Sequence, residues 1–363
     1  MTAPDSRLIL RIIDANLNRT AEGLRVLEDV ARFVLDDAVL TRQLKTMRHE
    51  LAGDEWTSQQ ELLESRSADS DVGSSIEVPG AEKRRELPSL VVANSRRVQQ
   101  SLRVLEELAK TAGPIAGLSA DSLQKNRFAV YDIEKSTLSR LLRRDKIERL
   151  SGLYVVIDTQ ALGSRSHVAV AAEAIGGGAR VIQLRDKLLS PRELLPLSLK
   201  LRGLCRECGV LFIVNDYLDL ALAADADGVH LGQTDLPVSV ARRLLPMGKI
   251  IGCSVCTVKQ ALAAQSEGAD YIAVGCIYPT LSKTSAREPA RVVGLDVLRK
   301  VRQKVSLPLV AIGGITGENA VEVIASGADT VAIISAVVKA KDVRAAARQI
   351  VEKIGAHHEE ING

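Results

Sequence analysis

Aromatic residues are scarce in this sequence, with three Phe, one Trp and five Tyr among 363 residues. Proteins that bind single-stranded nucleic acid stack its bases on aromatic side chains, so this composition argues against that function. The charge imbalance is also small, because 48 Lys and Arg face 45 Asp and Glu, for a net charge of +3. Nucleic-acid-binding domains usually carry a concentrated basic stripe, and we therefore expect no nucleic-acid partner.

Long apolar runs are also missing. No segment approaches the ~20 apolar residues that a membrane span needs, and Met1–Arg11 lacks the basic-then-apolar order of a signal peptide. Cysteine is limited to five residues, all in the second half, which favours reduced thiols rather than a disulfide framework. These absences predict a cytoplasmic protein with no membrane partner.

The first part of the chain, residues 1–148, is predicted to be an all-helical domain, because apolar residues recur there at three- and four-residue steps. This domain contains an internal repeat. The segment 14–29 reappears as 92–107, and the matched pairs are Asn16 with Asn94, Arg19 with Arg97, Arg25 with Arg103, and Glu28 with Glu106. Two similar helices suggest a pseudo-symmetric helical bundle or one that pairs face to face.

The hydrophobic period changes after the charged segment 140–149. From there, eight short apolar runs alternate with amphipathic segments, from Leu153–Asp158 to Thr330–Ala336. Near-continuous apolar runs are typical of parallel strands that are covered on both faces. Residues 149–363 are therefore predicted to be an α/β domain, a compact (β/α)₈ TIM barrel. An open doubly wound sheet is the alternative, although no G-x-G-x-x-G follows the first strand.

Charged side chains follow several of the predicted strands. The carboxyl ends of the strands carry the active site in a barrel of this kind. Asp216 and Asp235 follow the third and fourth strands, and Arg185, Lys187 and Lys283 supply cations. Mg²⁺ needs few protein oxygens and commonly bridges to substrate phosphates. This set predicts a magnesium-assisted diphosphate site.

A second anion site is predicted after the seventh and eighth strands. The segments are Gly313-Gly314 and Ile334-Ser335-Ala336. Glycines let backbone N–H groups approach an anion closely, and these loops commonly form the phosphate pocket of the barrel. Neither a Ser-His-Asp set nor a carboxylate acid/base dyad is evident in the sequence, which favours a reaction that needs no protein nucleophile.

The strand endings resemble thiamine phosphate synthase over about residues 150–350. The segments that carry the resemblance are Gln183-x-Arg185-x-Lys187, Val214-Asn215-Asp216, Gly228-Val-His-Leu-Gly-Gln233, Gly275-x-Ile277-Tyr278-Pro-Thr280 and Gly313-Gly314-Ile315. That family is a (β/α)₈ barrel that joins hydroxymethylpyrimidine diphosphate to thiazole phosphate and releases pyrophosphate. The resemblance thus implies both substrates and a Mg²⁺ cofactor.

The resemblance also implies roles for individual residues. Asp216 and Asp235 would bind Mg²⁺, and Arg185, Lys187, Ser254 and Lys283 would act at the reacting end. Residues implied to contact the pyrimidine diphosphate are Gln183, Lys187, Asn215, Ser254 and Lys283. Those implied to hold the thiazole phosphate are Thr280, Ser282, Gly314, Ile334 and Ser335. One departure is Cys256, which stands where the family often has His, and we infer that His is not essential there. A non-synthase barrel, such as a thiazole tautomerase or a phosphate-ligand-binding regulator, is the alternative.

The helical half resembles, over Asp14–Phe33, a domain found fused to this synthase or as a separate protein. That family is associated with phosphorylation of hydroxymethylpyrimidine phosphate, which implies ATP as a partner. Candidate site residues are Asn16, Arg19, Arg25 and their repeat partners. No P-loop occurs there, and Arg25, Glu28 and Arg32 are spaced for exposed ion pairs along one helix. A structural role, including assembly of a homo-oligomer, therefore stays open for this half.

Overall fold

The computed structural model divides the chain into two compact units, residues 1–142 and 143–363. The described residues are 3–52, 60, 62–64, 86–111, 118–280 and 292–362. None of the helices among them has the length and apolar content to cross a bilayer. Each unit has its own apolar core.

The first unit is helical, as its periodicity predicts. Its described elements are α1 (Ala3–Asp29), a π-helical turn (Val30–Val34), α2 (Ala38–Ala52), α3 (Leu87–Thr111) and α4 (Ala120–Glu148). The division between the units falls inside α4.

Helices α1 and α3, which carry the internal repeat, pack closely against each other. A Cβ at Gly23 on α1 would lie 2.6 Å from Val98 Cγ2 and 3.2 Å from the Asn94 carbonyl oxygen of α3. The mid-helix glycine therefore permits close helix approach.

The repeat extends beyond the two matched helices. On α1, the buried Glu28 accepts a hydrogen bond from Arg48 Nε of α2 at 3.0 Å. On α3, the buried Glu106 accepts one from Arg127 Nε of α4 at 3.1 Å. Each copy is thus a helix pair joined by a buried glutamate and an arginine. The expected exposed pairing of Glu28 along α1 is wrong, since Glu28 faces α2 and the pair on α1 joins Arg25 to Asp29 at 3.7 Å.

The second unit is the predicted (β/α)₈ barrel. All eight strands are parallel, each pairs with the next, and β1 closes the barrel on β8. The strands are β1 (Gly152–Asp158), β2 (Val181–Arg185), β3 (Leu211–Asn215), β4 (Gly228–Leu231), β5 (Ile250–Val255), β6 (Tyr271–Gly275), β7 (Leu309–Ile312) and β8 (Thr330–Ile333).

Helices follow the strands and cover their outer faces. They are α5 (Thr159–Leu162), α6 (His167–Gly176), α7 (Pro191–Glu207), α8 (Leu218–Ala223), α9 (Val238–Leu244), α10 (Val258–Glu267), α11 (Gly294–Arg302), α12 (Ala320–Ala325), α13 (Ser335–Val338) and α14 (Val343–Asn362). Outward side chains such as Ile182 and Val229 belong to the core between strands and helices.

Inward side chains form a second apolar cluster inside the barrel, which includes Tyr154, Tyr271 and Ile213. Because strand side chains alternate between faces, inward Val181 of β2 places Gln183 and Arg185 on the same inner side. Gly252 leaves the space for the Tyr271 ring, because a Cβ there would lie 2.0 Å from Tyr271 Cζ.

Candidate active site

The two predicted metal ligands meet at the carboxyl ends of β3 and β4. Asp216 directly follows β3, and its carboxylate is close enough to that of Asp235, in the loop after β4, for the two to interact electrostatically. Lys187, after β2, forms an ion pair with Asp216. Burial and the neighbouring Asp235 carboxylate raise the pKa of Asp216, while the Lys187 ammonium opposes that shift.

Backbone contacts hold both carboxylates in position. Asp216 has a φ of +64°, a left-handed conformation that Asp tolerates better than most residues. Its N–H donates to the His230 carbonyl at 2.8 Å. Asp235 Oδ2 accepts a hydrogen bond from the Gly232 N–H at 2.7 Å. These contacts fix the backbone of Asp216 and the carboxylate of Asp235.

This carboxylate pair suits a hard divalent cation. The described residues contain no group of three or more His, Cys, Asp or Glu side chains that could hold a metal ion. Mg²⁺ usually keeps several waters and takes only one or two carboxylates plus substrate phosphates. Two close carboxylates, one of them with a raised pKa, also carry repulsion that a cation would relieve. The residues present therefore fit Mg²⁺.

A chain of buried hydrogen bonds crosses the interior of the barrel from Gln183 to Ser254. Gln183 Nε2 donates to Tyr154 Oη at 2.9 Å, and Tyr154 Oη lies 3.1 Å from Tyr271 Oη. Tyr271 Oη is 3.0 Å from His230 Nδ1, and His230 Nε2 is 2.8 Å from Ser254 Oγ. Burial raises the pKa of both phenols, so they are neutral at physiological pH. The chain fixes two residues predicted to contact the pyrimidine.

The Ser254–His230 contact amends the expectation that no Ser-His arrangement exists. The sequence hides it because the two residues lie on different strands, β5 and β4. However, the group that orients His230 is the neutral phenol of Tyr271 rather than a carboxylate. A neutral phenol does not stabilise an imidazolium as the buried carboxylate of a Ser-His-Asp triad does. The arrangement positions Ser254 rather than activating it as a nucleophile.

Two further predicted residues lie at the same rim. Arg185, the last residue of β2, forms an ion pair with the buried Asp158 at the end of β1. The guanidinium has five N–H donors, so this pair holds its orientation without using all of them. Asn215, the last residue of β3, is half-buried next to Asp216.

The predicted phosphate residues line a separate cavity of about 220 Å³ at the ends of β7 and β8. Thr280, Gly314, Ile334 and Ser335 all belong to its wall. Gly314 has a φ of +66°, and a Cβ there would lie 2.7 Å from both the Pro279 carbonyl oxygen and Tyr278 Cβ. Only glycine fits that turn. The geometry brings four of the five residues together, as a backbone-rich anion site requires.

Ser282 and Lys283 lie outside the described residues. Sequence reasoning missed three residues that the site uses, namely Asp158, Tyr154 and Tyr271. Tyr271 and Tyr154 read as ordinary strand residues, and only the barrel closure brings them together. His230, a fourth such residue, lies on β4 inside the quoted motif Gly228–Gln233, and its place in that motif was the available signal. Cys256 is not part of the buried hydrogen-bond chain from Gln183 to Ser254, because its thiol donates to the Gly275 carbonyl at 3.2 Å.

In the helical unit the structure separates the candidate residues. Asn16 and Asn94 are buried, and each side-chain amide donates to a carbonyl of its own helix, Ile12 at 2.8 Å and Leu90 at 2.9 Å. The two asparagine side chains therefore form hydrogen bonds within their own helices. Candidate arginines are exposed instead, at positions 19, 25, 97 and 103.

The second unit is thus a closed, parallel TIM-type barrel that carries a carboxylate pair and a separate glycine-walled cavity at the carboxyl ends of its strands. The profile described as "Thiamine monophosphate synthase" matches residues 153–337. The profile described as the "ThiD2 family" matches residues 11–136.

Whole proteins give the same result. A thiamine-phosphate synthase from Synechocystis is 40% identical over 95% of this chain and 96% of its own length. One from Methanocella arvoryzae is 52% identical over 54% of this chain and 92% of its own length. The solved thiamine phosphate pyrophosphorylase from Pyrococcus furiosus superposes with a TM-score of 0.53 at 42% identity, covering 58% of this chain and 97% of that one.

The chain belongs to the thiamine monophosphate synthase family. It is a transferase of thiamine biosynthesis, a thiamine phosphate synthase as the strand endings predict, and the matched relatives favour this over a non-synthase barrel.

Proposed function

We propose that the rim of the barrel condenses hydroxymethylpyrimidine diphosphate with thiazole phosphate, and that the residues described above carry the reaction. One observation supports this most strongly. Lys187 forms an ion pair with Asp216, and Asp216 also interacts electrostatically with the neighbouring Asp235, as expected for a site that binds a metal and a diphosphate. A second anion pocket, lined by Gly314 and Ser335, lies at the carboxyl ends of β7 and β8.

The diphosphate would lie against the cations. Lys187, Lys283 and the remaining N–H groups of Arg185 would neutralise the leaving pyrophosphate as it departs. Asp216 and Asp235 would hold Mg²⁺, which supplies charge neutralisation of the diphosphate when bound. Lys187 pairs with Asp216 in the described structure, so the same ammonium is positioned close to the metal ligands.

The chemistry needs no protein nucleophile. The aminopyrimidine ring can delocalise the positive charge that forms when pyrophosphate leaves its benzylic-type carbon, so the displacement is dissociative. Ser254 and Gln183, fixed at the two ends of the buried hydrogen-bond chain, would orient the pyrimidine, and Asn215 would contact it beside Asp216. Holding the thiazole nitrogen near that carbon then provides the remaining acceleration.

The thiazole phosphate would occupy the 220 Å³ cavity. Gly314, Ile334, Ser335 and Thr280 would surround its phosphate, with Ser282 adding a hydroxyl. Product analysis tests the assignment. The full chain with both substrates and Mg²⁺ should release pyrophosphate and thiamine phosphate in equal amounts. Release of pyrophosphate without formation of thiamine phosphate would contradict the assignment.

We also propose that the helical unit, about residues 1–148, phosphorylates hydroxymethylpyrimidine phosphate with ATP, on the strength of its "ThiD2 family" match. The full chain, given ATP, Mg²⁺ and hydroxymethylpyrimidine phosphate without the thiazole, should form the diphosphate and ADP. Absence of both products would contradict the proposal. Both reactions use phosphorylated compounds, and none of the five cysteines forms a disulfide, which supports a cytoplasmic location.

Assembly is the alternative role for the helical unit, and one observation favours it. Leu8 and Ile12 of α1 are 56% and 44% exposed at i, i+4 spacing, and Phe33 is 68% exposed. Apolar residues exposed in this way are typical of interaction surfaces. Sedimentation of the intact chain would report a homo-oligomer that Leu8→Glu disrupts. A monomer at every concentration would contradict assembly.

A further inference from the structure

A cavity of about 440 Å³ lies in the helical unit between α3 and α4. Its walls consist of three guanidinium groups, two amides and one phenol. The lining residues are Arg96, Gln99, Gln100, Arg103, Arg127 and Tyr131. Among the described residues that line it there is no carboxylate, so these side chains offer mainly hydrogen-bond donors and positive charge.

The positive charge around this cavity exceeds what the neighbouring Glu106 can neutralise. Glu106 is fully buried, and it pairs with Arg103 Nη1 at 3.1 Å, Lys110 Nζ at 2.6 Å and Arg127 Nη2 at 3.1 Å. The half-exposed Glu107 also lies 2.8 Å from Arg103 Nη2 and 3.5 Å from Lys110 Nζ, so two carboxylates serve these three cations. Arg96 is exposed and has no ion-pair partner among the described residues of its unit. An anion in the cavity would balance this charge.

Several of the lining side chains are already held in place. The side-chain amide of Gln99 donates to Glu134 at 2.7 Å. Arg127 lies between Glu106 and the Phe128 ring, with its guanidinium carbon 4.8 Å from the ring centre. Tyr131, whose ring lies 6.1 Å from that of Phe128, is 45% exposed and leaves one flat apolar surface at the cavity. Groups fixed before binding lose less entropy when a ligand arrives.

The internal repeat shows which features serve packing and which do not. The first copy keeps the buried Glu28 with Arg48, and it has Arg25 at the position of Arg103. However, at the positions of Arg96, Gln99 and Gln100 it has Asn18, Ala21 and Glu22. The glutamate–arginine pair is therefore common to both copies. The cationic cavity belongs to the second copy alone, so packing of a repeat unit does not require it.

A larger cavity of about 600 Å³ between α2 and α4 has different chemistry. Glu50 and Asp132 stand in its wall, and Arg42 is the one cation among the described residues that line it. A phosphate dianion would meet like charge there. The cavity between α3 and α4 is the better anion site of the two.

We propose that the cavity between α3 and α4 binds the phosphate of a heteroaromatic phosphate ester, with Arg96 and Arg103 on the phosphate and Tyr131 against the ring. This inference rests on the proposed phosphorylating function of the helical unit and assigns that function a location. Hydroxymethylpyrimidine phosphate and ATP both have this chemistry. The test distinguishes them.

The experiment uses calorimetry on the intact chain with two probes, hydroxymethylpyrimidine phosphate and ATP, and with unphosphorylated hydroxymethylpyrimidine for comparison. Arg96→Ala and Arg103→Ala each remove one charge-assisted contact, so the Kd of the resident probe should rise about tenfold. Lys135→Ala removes one exposed positive charge from α4 outside the cavity, and its Kd should match that of the unaltered chain. Tyr131→Leu should weaken binding of the phosphorylated probe and leave the fold intact.

If the Kd of hydroxymethylpyrimidine phosphate alone rises in the arginine variants, that compound is the ligand of the cavity. If the Kd of ATP alone rises, the ligand is the nucleotide. Equal Kd values for the unaltered chain and both arginine variants would overturn the site, as would equal losses in Lys135→Ala. The proposed function is judged separately by diphosphate formation. If Arg96→Ala binds both probes normally and still forms the diphosphate, the proposed site is wrong and the proposed function stands. If Arg96→Ala weakens binding but the unaltered chain forms no diphosphate, the site stands and the proposed function is wrong.

Discussion

Tyr154 Oη and Tyr271 Oη lie 3.1 Å apart inside the barrel, on strands β1 and β6. Neither phenol reaches solvent, and together they join Gln183 at one side to His230 and Ser254 at the other. The contact shows how a barrel core can be both packing and active-site support. The interior layer that fills the barrel also determines where two rim side chains point.

Tyr271→Phe tests this support. The change leaves Tyr154 Oη and His230 Nδ1 without their shared partner, which should lower the free energy of unfolding by about 1–3 kcal/mol. It should also lower kcat/KM for the pyrimidine diphosphate about tenfold, because Ser254 loses its fixed orientation. Urea unfolding and steady-state kinetics measure the two effects. Tyr217→Phe, at a half-buried tyrosine outside the buried hydrogen-bond chain, is the control and should change neither.

Gly314→Ala should damage the thiazole phosphate site. A Cβ at this position would come within 2.7 Å of Tyr278 and Pro279 atoms, in a backbone conformation with φ +66°. The loop must shift, and KM for the thiazole phosphate should rise at least about tenfold with little change in KM for the pyrimidine diphosphate. Gly317→Ala adds a Cβ 3.5 Å from Ile350, an ordinary contact, and should behave like the unaltered chain. Equal KM values in both variants would exclude Gly314 from the pocket.

Lys283→Ala should lower kcat by at least about 100-fold, the scale of losing one preorganised electrostatic contact to the leaving group. Single-turnover pyrophosphate release with both substrates saturating measures the chemical step. Lys304→Ala, on an exposed position of the barrel, controls for loss of a positive charge. A rate near that of the unaltered chain would remove Lys283 from the proposed mechanism.

Glu106 should make the stability of the helical unit depend on pH. Hydrogen bonds from Lys110 and then Arg127 lower the pKa of Glu106 below its usual value of 4.5, with burial opposing them. Its stabilising contribution is therefore complete above the unfolded pKa and is lost as the pH falls through the lower folded pKa. The stability advantage of the unaltered chain over Glu106→Gln, measured by urea unfolding, should shrink below about pH 4.5. Glu107→Gln, at an exposed glutamate, should give a smaller difference in the free energy of unfolding, and this difference should change less with pH.

Much of the fold could be predicted because its signals are local. The eight apolar runs fix the strands of the barrel, and the strand ends place Asp216, Asp235 and Gly314 at its carboxyl rim without any contact information, while their roles stay predictions. The buried chain could not be predicted, since Tyr154 and Tyr271 are distant in sequence and meet only when the barrel closes. Glu28 shows the same limit. Its spacing fits an ion pair on α1, yet burial against α2 and the competing Arg48 decide its partner.

The central claim is that Asp216 and Asp235 act together as the magnesium site for the departing pyrophosphate, and a magnesium titration of the rate tests it most directly. Asp235→Asn and Asp216→Asn should each lower kcat at least about 100-fold and raise the Mg²⁺ concentration needed for half-maximal rate. Asp219→Asn, an exposed carboxylate on the next helix, should leave both quantities unchanged. An unaltered magnesium requirement in both variants of the pair would contradict the account.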